Sequence, residues 1–433
     1  MAEKQLKRSL SFAGAIAIVI GGVIGSGIFL KPGIVFNHAA SPYMGLLAWL
    51  AGGVITLASA LTIAEIASAI PKTGGLYVYL EDLYGDVWGF LLGWVQTVIT
   101  YPASAGALAI AFATFSTFFI PMSGMQQKLL AISVMIFVVI MNILATKFGG
   151  IIQIASTVGK LLPIAAIIIF GLMKGNAHDF SMVTVATTGA GFGAAILGTL
   201  WAYDGWIGVT NMAEELRDPV RQLPRSLIIG VGTVIAVYVL VNIAMLNVLP
   251  IGNIIASPRP ASDIAVILFG NGGAAFITAG IMISVFGAMN SYIMTGARVP
   301  FAMGARRQLP CSKVLSAVHP KFNTPTNALI VEAVLAAIYI MSGTFNTLTD
   351  LLVFVLWIFF TMGVIGVFII RKKGTPYKPS YRVPLYPYVP LIGILGGTYI
   401  LFSTVISQTA NSLLGIGITL IGLPVFYYLK KKN

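Results

Sequence analysis

The stretch FAGAIAIVIGGVIGSGIF, residues 12–29, decides how this chain folds. It carries no formal charge, and at about 1.5 Å per residue it is long enough to cross a bilayer as a helix. It also contains Gly21, Gly22, Gly25 and Gly27, and glycine weakens a helix. In lipid, an opened backbone is tolerated only where protein buries it or where it lines a water-filled cavity. The stretch therefore predicts a broken helix whose free amides face a polar partner.

A second apolar stretch, beginning near Gly191, contains the sequence Trp201-Ala202-Tyr203-Asp204-Gly205-Trp206. An acidic residue beside a glycine, deep in an apolar span, predicts a second break. Two interrupted spans at corresponding places in two halves of a membrane protein indicate a substrate site between them.

The composition identifies an integral membrane protein. The chain has 433 residues, of which 58% are hydrophobic and 9% charged, whereas a soluble protein carries roughly a quarter charged residues. The net charge of +13 is explained by basic residues gathered on one side of a membrane, so we expect no nucleic-acid partner. The single cysteine, Cys311, excludes an internal disulfide. Without an ATP-binding loop or a metal-binding motif, the chain is predicted not to be an enzyme and to need no cofactor or metal.

The apolar stretches predict an all-α protein with twelve transmembrane helices. They lie near residues 12–36, 43–70, 86–119, 128–145, 149–173, 191–213, 225–250, 273–304, 325–343, 347–371, 386–408 and 412–429. The third stretch could form one tilted helix or two short ones, and we predict one. If the N-terminus is cytoplasmic, 21 of the 26 Lys and Arg residues fall on the cytoplasmic side. This asymmetry predicts a multi-pass protein of the cell membrane with both termini in the cytoplasm. Lys31, Lys128, Lys174 and Arg259 fall on the opposite side.

Lys160 lies in the middle of the otherwise uncharged fifth stretch. It is roughly 18 Å from either end, too far for its side chain to reach an interface comfortably. A charge at such a depth usually faces the protein interior and has a role. A fixed ammonium there could hold the carbonyls of the first break, as a bound Na⁺ does elsewhere. Alternatively the lysine could gain and lose a proton during transport, which would make a proton-coupled carrier.

The other charged residues of the spans have simpler interpretations. Asp204 could attract a cationic substrate, but we favour a structural role in which it bonds the backbone opened by its own break. Glu65, Arg298 and Glu332 lie near predicted cytoplasmic span ends, where we expect ion pairs at a gate or an interface.

Several motifs together resemble one family of transporters. The first span, Val19 to Phe29, and the loop Pro71-Lys72-Thr73-Gly74-Gly75-Leu76-Tyr77 resemble the amino acid–polyamine–organocation superfamily. Further motifs resemble its L-amino acid transporter branch: Tyr203-Asp204-Gly205-Trp206 followed by Glu214-Glu215 and Pro219, Arg298 to Met303 followed by Gln308-Leu309-Pro310, and Lys160, which matches a fifth-span lysine. The likeness covers nearly the whole chain.

The resemblance implies a leucine-transporter-type fold with a 5+5 inverted repeat and broken helices 1 and 6. The first repeat would span residues 1–173, the second 174–371, and two further spans 372–433. It also implies sodium-independent exchange of small neutral L-amino acids, such as serine, threonine and alanine, by alternating access. The residues expected to contact the substrate are Val23, Ile24, Gly25, Ser26, Gly27, Trp201, Ala202, Tyr203 and Asp204, with Lys160 in place of a coupling ion.

The physics of these positions suits a zwitterion. Amides at a helix N-terminus attract a carboxylate, and freed carbonyls attract an ammonium. Animal relatives pair with a glycoprotein through a cysteine after the third span; residues 120–127 contain none, so we expect no disulfide-linked heavy subunit. The alternatives within transport are a proton-coupled or a cationic amino acid carrier. Outside it, a channel would show a continuous wet path, and an enzyme or sensor would need a catalytic motif or an extramembrane domain.

Overall fold

Helices make up most of the residues that the structure describes. The computed structural model describes residues 11–70, 75–144, 149–177, 180, 190–207, 209, 216, 218–322, 324–373 and 379–432, and no β-strand is present within these ranges. Three segments named above lie outside the described ranges: the motif residues 71–74, the motif residues 214–215, and residues 210–213 of the predicted sixth span.

The helices follow one another with short connections. In chain order they are α1 (Phe12–Val23), α2 (Gly27–Ala39), α3 (Pro42–Ala69), α4 (Leu76–Tyr84), α5 (Asp86–Ser116), α6 (Gly124–Leu144), α7 (Gly149–Lys174), α8 (Phe192–Ala202), α9 (Pro219–Val248), α10 (Ile251–Ala256), α11 (Pro260–Gly296), α12 (Arg298–Ala305), α13 (Ser312–Leu315), α14 (Thr326–Ser342), α15 (Phe345–Lys373), α16 (Tyr388–Ser407) and α17 (Thr409–Lys432).

Many of these helices are long and apolar enough to cross a membrane. Within the described residues, length and composition identify eight such spans: α3, α5, α6, α9, α11 with α12, α15, α16 and α17. The bent pair α1 and α2 makes a ninth if it is one span, and α8 and α14 are shorter apolar helices. An all-helical membrane protein is thus confirmed, whereas the count of twelve spans stays a prediction.

Two predicted spans can be compared closely with the structure. The third stretch forms the single continuous helix α5, as predicted, with one π-helical turn at Gln96–Thr100. The eighth was predicted to begin at residue 273, but α11 begins at Pro260. A non-helical conformation at Gly270 (φ 67°, ψ 178°) separates the first part of α11 from the rest, and hydropathy does not reveal that first part because it contains Asp263.

Local sequence explains where the main helices begin. The Ser11 hydroxyl accepts a hydrogen bond from the Gly14 amide (3.1 Å), and Ser41 caps α3 through the Met44 amide (3.2 Å). Pro42 then occupies the first turn, where its missing N–H costs nothing. The Asp218 carboxylate caps α9 in the same way. These caps satisfy amides that would otherwise lack partners in a helix end.

The two short, interrupted helices lie at the centre of the packing. α1 packs against α9, α2 against α8, and α3 against both α8 and α9. The long α11 packs against α5 and α7. Because α1, α2 and α8 are surrounded by longer helices, their broken backbones are covered by protein instead of lipid, as the membrane requires.

Candidate substrate site

The first break separates α1 from α2. α1 ends at Val23, and Ile24 turns to an extended conformation (φ −68°, ψ 107°) while its amide still bonds the Ile20 carbonyl at 2.9 Å. α2 begins at Gly27, and its axis is inclined by 51° to that of α1. The first amides of a helix have no carbonyl partner within it. The break therefore presents amide groups at the N-terminus of α2.

The second break follows α8. The helix ends at Ala202, the Asp204 amide bonds the Trp201 carbonyl at 3.3 Å, and Gly205 takes the left-handed φ of 103°. A side chain at Gly205 would lie only 2.5 Å from the Gly22 carbonyl oxygen. Glycine at this position therefore supports both the turn and the direct approach of one break to the other.

A second close contact joins the helices on either side of the breaks. A Cβ atom at Gly27 would lie 2.6 Å from both Cα and Cβ of Ala202. The start of α2 and the end of α8 thus pack backbone to backbone, which only the smallest residue permits.

A cavity of about 420 Å³ lies where the two breaks meet. Its walls come from the first break, the second break and three neighbouring helices. The lining residues are Ala17, Gly21, Gly22, Val23, Ile24, Gly25, Ser26, Gly27, Leu108, Lys160, Trp201, Asp204, Ala288, Ser291 and Tyr292.

Lys160 reaches the first break from α7. Its ammonium donates to the Ile24 carbonyl at 3.0 Å and to the Gly21 carbonyl, and the residue is 5% exposed. The lysine therefore provides a positive charge to carbonyls that α1 leaves without helical partners. Within the described residues, no group of three or more His, Cys, Asp or Glu side chains is placed to hold a metal ion.

Asp204 is partly buried at the cavity wall. Its Oδ2 accepts a hydrogen bond from the Tyr292 hydroxyl at 3.2 Å, and the Gly205 amide also donates to this carboxylate. The Tyr292 ring stacks on Trp201, with 6.1 Å between ring centroids. The carboxylate thus has partners within its own break and on α11.

Two predicted site residues do not line the cavity. Ala202 faces Gly27 across the helix contact, and Tyr203 is fully buried, with its hydroxyl donating to the Trp49 carbonyl at 3.0 Å. Trp206 is likewise buried and packs on Phe360. These residues pack around the second break without lining the cavity.

Sequence reasoning missed a tyrosine that connects the breaks. The Tyr238 hydroxyl, from α9, lies 2.9 Å from the Ala202 carbonyl and 3.1 Å from the Val23 carbonyl, and it accepts from the Gly25 amide. A lone tyrosine in an apolar span carries no local signal of such a role. By contrast, Asn290-Ser291-Tyr292 is a polar run inside an apolar span, and it could have indicated the wall formed by α11.

The expected ion pairs at span ends are present in one case and absent in another. Glu65 is paired with Arg371, with nitrogen–oxygen distances of 2.8 and 2.9 Å, as predicted. The prediction for Glu332 is wrong, because neither of its buried carboxylate oxygens has a hydrogen-bond partner among the described residues. Lys31, counted on the non-cytoplasmic side from the sequence, is fully buried in α2 and paired with Asp350 at 2.9 Å.

Comparison with known proteins identifies relatives over the whole chain. The family model described as amino acid permease matches residues 10–429. The chain is 43% identical over 432 residues to the serine/threonine exchanger SteT of Bacillus subtilis (strain 168), covering 100% of this chain and 99% of the relative. It is 30% identical to the mouse (Mus musculus) b(0,+)-type amino acid transporter 1, covering 98% and 88% of the two chains. It is also 30% identical to the mouse large neutral amino acids transporter small subunit 2, covering 98% and 81%.

Proposed function

The chain belongs to the amino acid permease family, and we propose that it exchanges small neutral L-amino acids, such as serine, threonine and alanine, across the cell membrane. The observation that carries this proposal is the cavity of about 420 Å³ bounded by both helix breaks. Cavities of this size hold small molecules. The relatives are transporters and exchangers of amino acids, so the protein is a transporter and not an enzyme.

The polar groups of the cavity suit the two charges of an amino acid. The amides of Ser26 and Gly27 stand at the N-terminus of α2, where a carboxylate is stabilised by hydrogen bonds and by the helix dipole. Val23 and Trp201, in the last turns of α1 and α8, line the same cavity, and the C-terminal end of a helix suits an ammonium group. A zwitterion placed between the breaks would pair its carboxylate with the amides of α2 and its ammonium group with the C-terminal ends of α1 and α8.

The position of Lys160 supports transport without sodium. Its ammonium already occupies the carbonyls of Gly21 and Ile24. A fixed positive charge there replaces the cation that would otherwise bind the carbonyls of an opened helix. Sodium is then not needed to complete the site.

A neutral substrate is favoured by the surroundings of Asp204. Its carboxylate is held by Tyr292 and Gly205, so it is not a free counter-charge for a cationic side chain. The stacked rings of Trp201 and Tyr292 limit the space beside it. Small side chains fit this arrangement best.

The larger architecture is part of the proposal. We assign twelve spans, with the first inverted repeat in residues 1–173, the second in 174–371 and two appended spans in 372–433. Both termini lie in the cytoplasm, and transport proceeds by alternating access as the broken spans rock against the others. No disulfide-linked heavy subunit is required, since residues 120–127 contain no cysteine.

A competition experiment tests the substrate class. Purified protein in liposomes loaded with serine is supplied with labelled serine outside, together with an excess of each unlabelled amino acid. Serine, threonine and alanine are expected to compete strongly, whereas arginine and lysine leave uptake unchanged. Strong competition by arginine that disappears in Asp204→Asn would identify a cationic amino acid carrier instead.

A further inference from the structure

Glu332 is a buried acidic residue that the substrate site does not use. It lies on α14, about 9 Å along the helix from Thr326, and it is 3% exposed. Its carboxylate fills the space that a side chain at Gly296 would take, and Tyr101 borders the same glycine. Neither oxygen has a hydrogen-bond partner among the described residues.

Among the described residues, no charged side chain on the neighbouring helices compensates this carboxylate. α14 packs against α5, α6, α11, α12 and α13, whose described charged residues are all exposed or engaged elsewhere. Asp86 pairs with Lys430, Lys128 donates to the Met341 carbonyl, Asp263 accepts from Ser257, and Arg298 and Lys313 are exposed. On α14 itself, the Tyr339 hydroxyl donates to the Val98 carbonyl. Tyr101 on α5 lies beside Glu332, since both side chains border Gly296.

Burial without a partner determines the charge of this group. An ionised carboxylate placed in protein within a membrane loses its hydration and gains nothing in return, and such groups become neutral instead. In the arrangement described here, Glu332 therefore carries a proton.

Packed side chains connect the surroundings of Glu332 to the substrate cavity. Tyr101 beside Glu332 packs against Tyr292, with 6.3 Å between ring centroids. The Tyr292 hydroxyl in turn donates to Asp204, and both of these residues line the cavity. The helix carrying Tyr292 is also the one that ends at Gly296. Movement of α11 relative to α14 would therefore change the cavity wall and the surroundings of Glu332 together.

We propose that Glu332 is a proton-binding site that must be occupied for α5, α11 and α14 to pack as they do in this structure. When α11 and α14 separate, water reaches the carboxylate, and the proton passes to that water. The proton returns from water before the helices close again. A full exchange cycle restores the proton, so exchange depends on pH without a net proton flux. The inference rests on the proposed exchange activity for its transport readout.

Exchange of labelled serine at equal pH on both sides of the liposome tests this site. Wild-type exchange is expected to slow as the pH rises from about 6 to about 8, because proton occupancy of a carboxylate falls about tenfold per pH unit above its midpoint. Glu332→Gln, which is neutral at every pH, is expected to keep the low-pH rate throughout. Glu81→Gln, at a partly exposed glutamate near Arg306, is the matched control and should retain the wild-type profile.

Thermal unfolding in detergent provides a readout that needs no transport. The folded protein holds the proton and the unfolded chain releases it, so the wild-type Tm should fall as the pH rises. This fall should be smaller in Glu332→Gln, or in Glu332→Met if the glutamine variant does not fold.

Three results would overturn the inference: a wild-type exchange rate that does not change with pH, a glutamine variant with the wild-type pH profile, or Glu332-dependent activity that follows sodium instead of pH. Absence of serine exchange at every pH would contradict the proposed function instead, and the Tm comparison would still decide the role of Glu332.

Discussion

At the scale of single residues, Lys160 illustrates how an isolated charge can be interpreted from sequence. Its position in an uncharged stretch predicted a bond to the first break, and the ammonium does contact the carbonyls of Gly21 and Ile24. Nothing in the local sequence indicated Tyr238, since one tyrosine among apolar residues is typical of packing. Its role depends on two carbonyls that lie 215 and 36 residues away in the chain.

Lys160→Ala is expected to lower the exchange rate or the apparent affinity by about tenfold, because buried carbonyls lose their partner at a cost of about 1–3 kcal/mol. The variant should still elute as a folded protein in detergent. Lys174→Ala is the matched control, since that lysine lies on the same helix but is exposed. Wild-type exchange in the Lys160 variant would show that the lysine is only structural.

Gly27→Ala is expected to abolish serine exchange. The added methyl group would meet the Ala202 backbone at 2.6 Å and force α2 away from α8. Ser26→Ala should be mild, within about fivefold in apparent affinity, because backbone amides and not the hydroxyl hold the carboxylate. Gly232→Ala, where a methyl group meets nothing within 4 Å, should exchange normally. Equal loss of affinity in the Ser26 and Gly27 variants would count against recognition by the backbone.

At the scale of elements, ion pairs join α15 to α2 near one end and to α3 near the other. Lys31 on α2 pairs with Asp350, which also accepts from Gln408 at 3.1 Å. At the other end of α15, Arg371 pairs with Glu65 on α3. Hydropathy predicted the apolar stretches, and an ion pair was expected at Glu65, but the sequence did not identify the partner of Glu65 or of Lys31. A pair between residues 319 positions apart follows from packing, which apolar periodicity does not specify.

Asp350→Asn is expected to destabilise the protein by about 3–5 kcal/mol, because it leaves the buried Lys31 ammonium without a counter-charge. Lys430→Gln removes a pair that is more than half exposed. That change should alter stability by less than about 1 kcal/mol. Thermal unfolding of both variants in the same detergent makes the comparison. A similar Tm for the two would mean that the Lys31–Asp350 pair does not hold α2 against α15.

At the scale of the whole molecule, two features explain how the chain can carry a zwitterion through a membrane. The breaks provide amides and carbonyls at one place, and the surrounding helices keep that place away from lipid. The sequence predicted both breaks because glycine and an acidic residue are conspicuous in apolar spans. It did not predict which side chains of α11 and α9 would close the cavity, since their approach depends on how distant helices pack.

The dependence of uptake on internal amino acid tests the central claim of exchange most directly. Labelled serine is supplied to liposomes that contain the protein and either unlabelled serine or buffer alone, each with and without sodium. We predict uptake only into the liposomes loaded with serine, at the same rate with and without sodium. Equal uptake into empty liposomes, or uptake that requires sodium, would contradict the account.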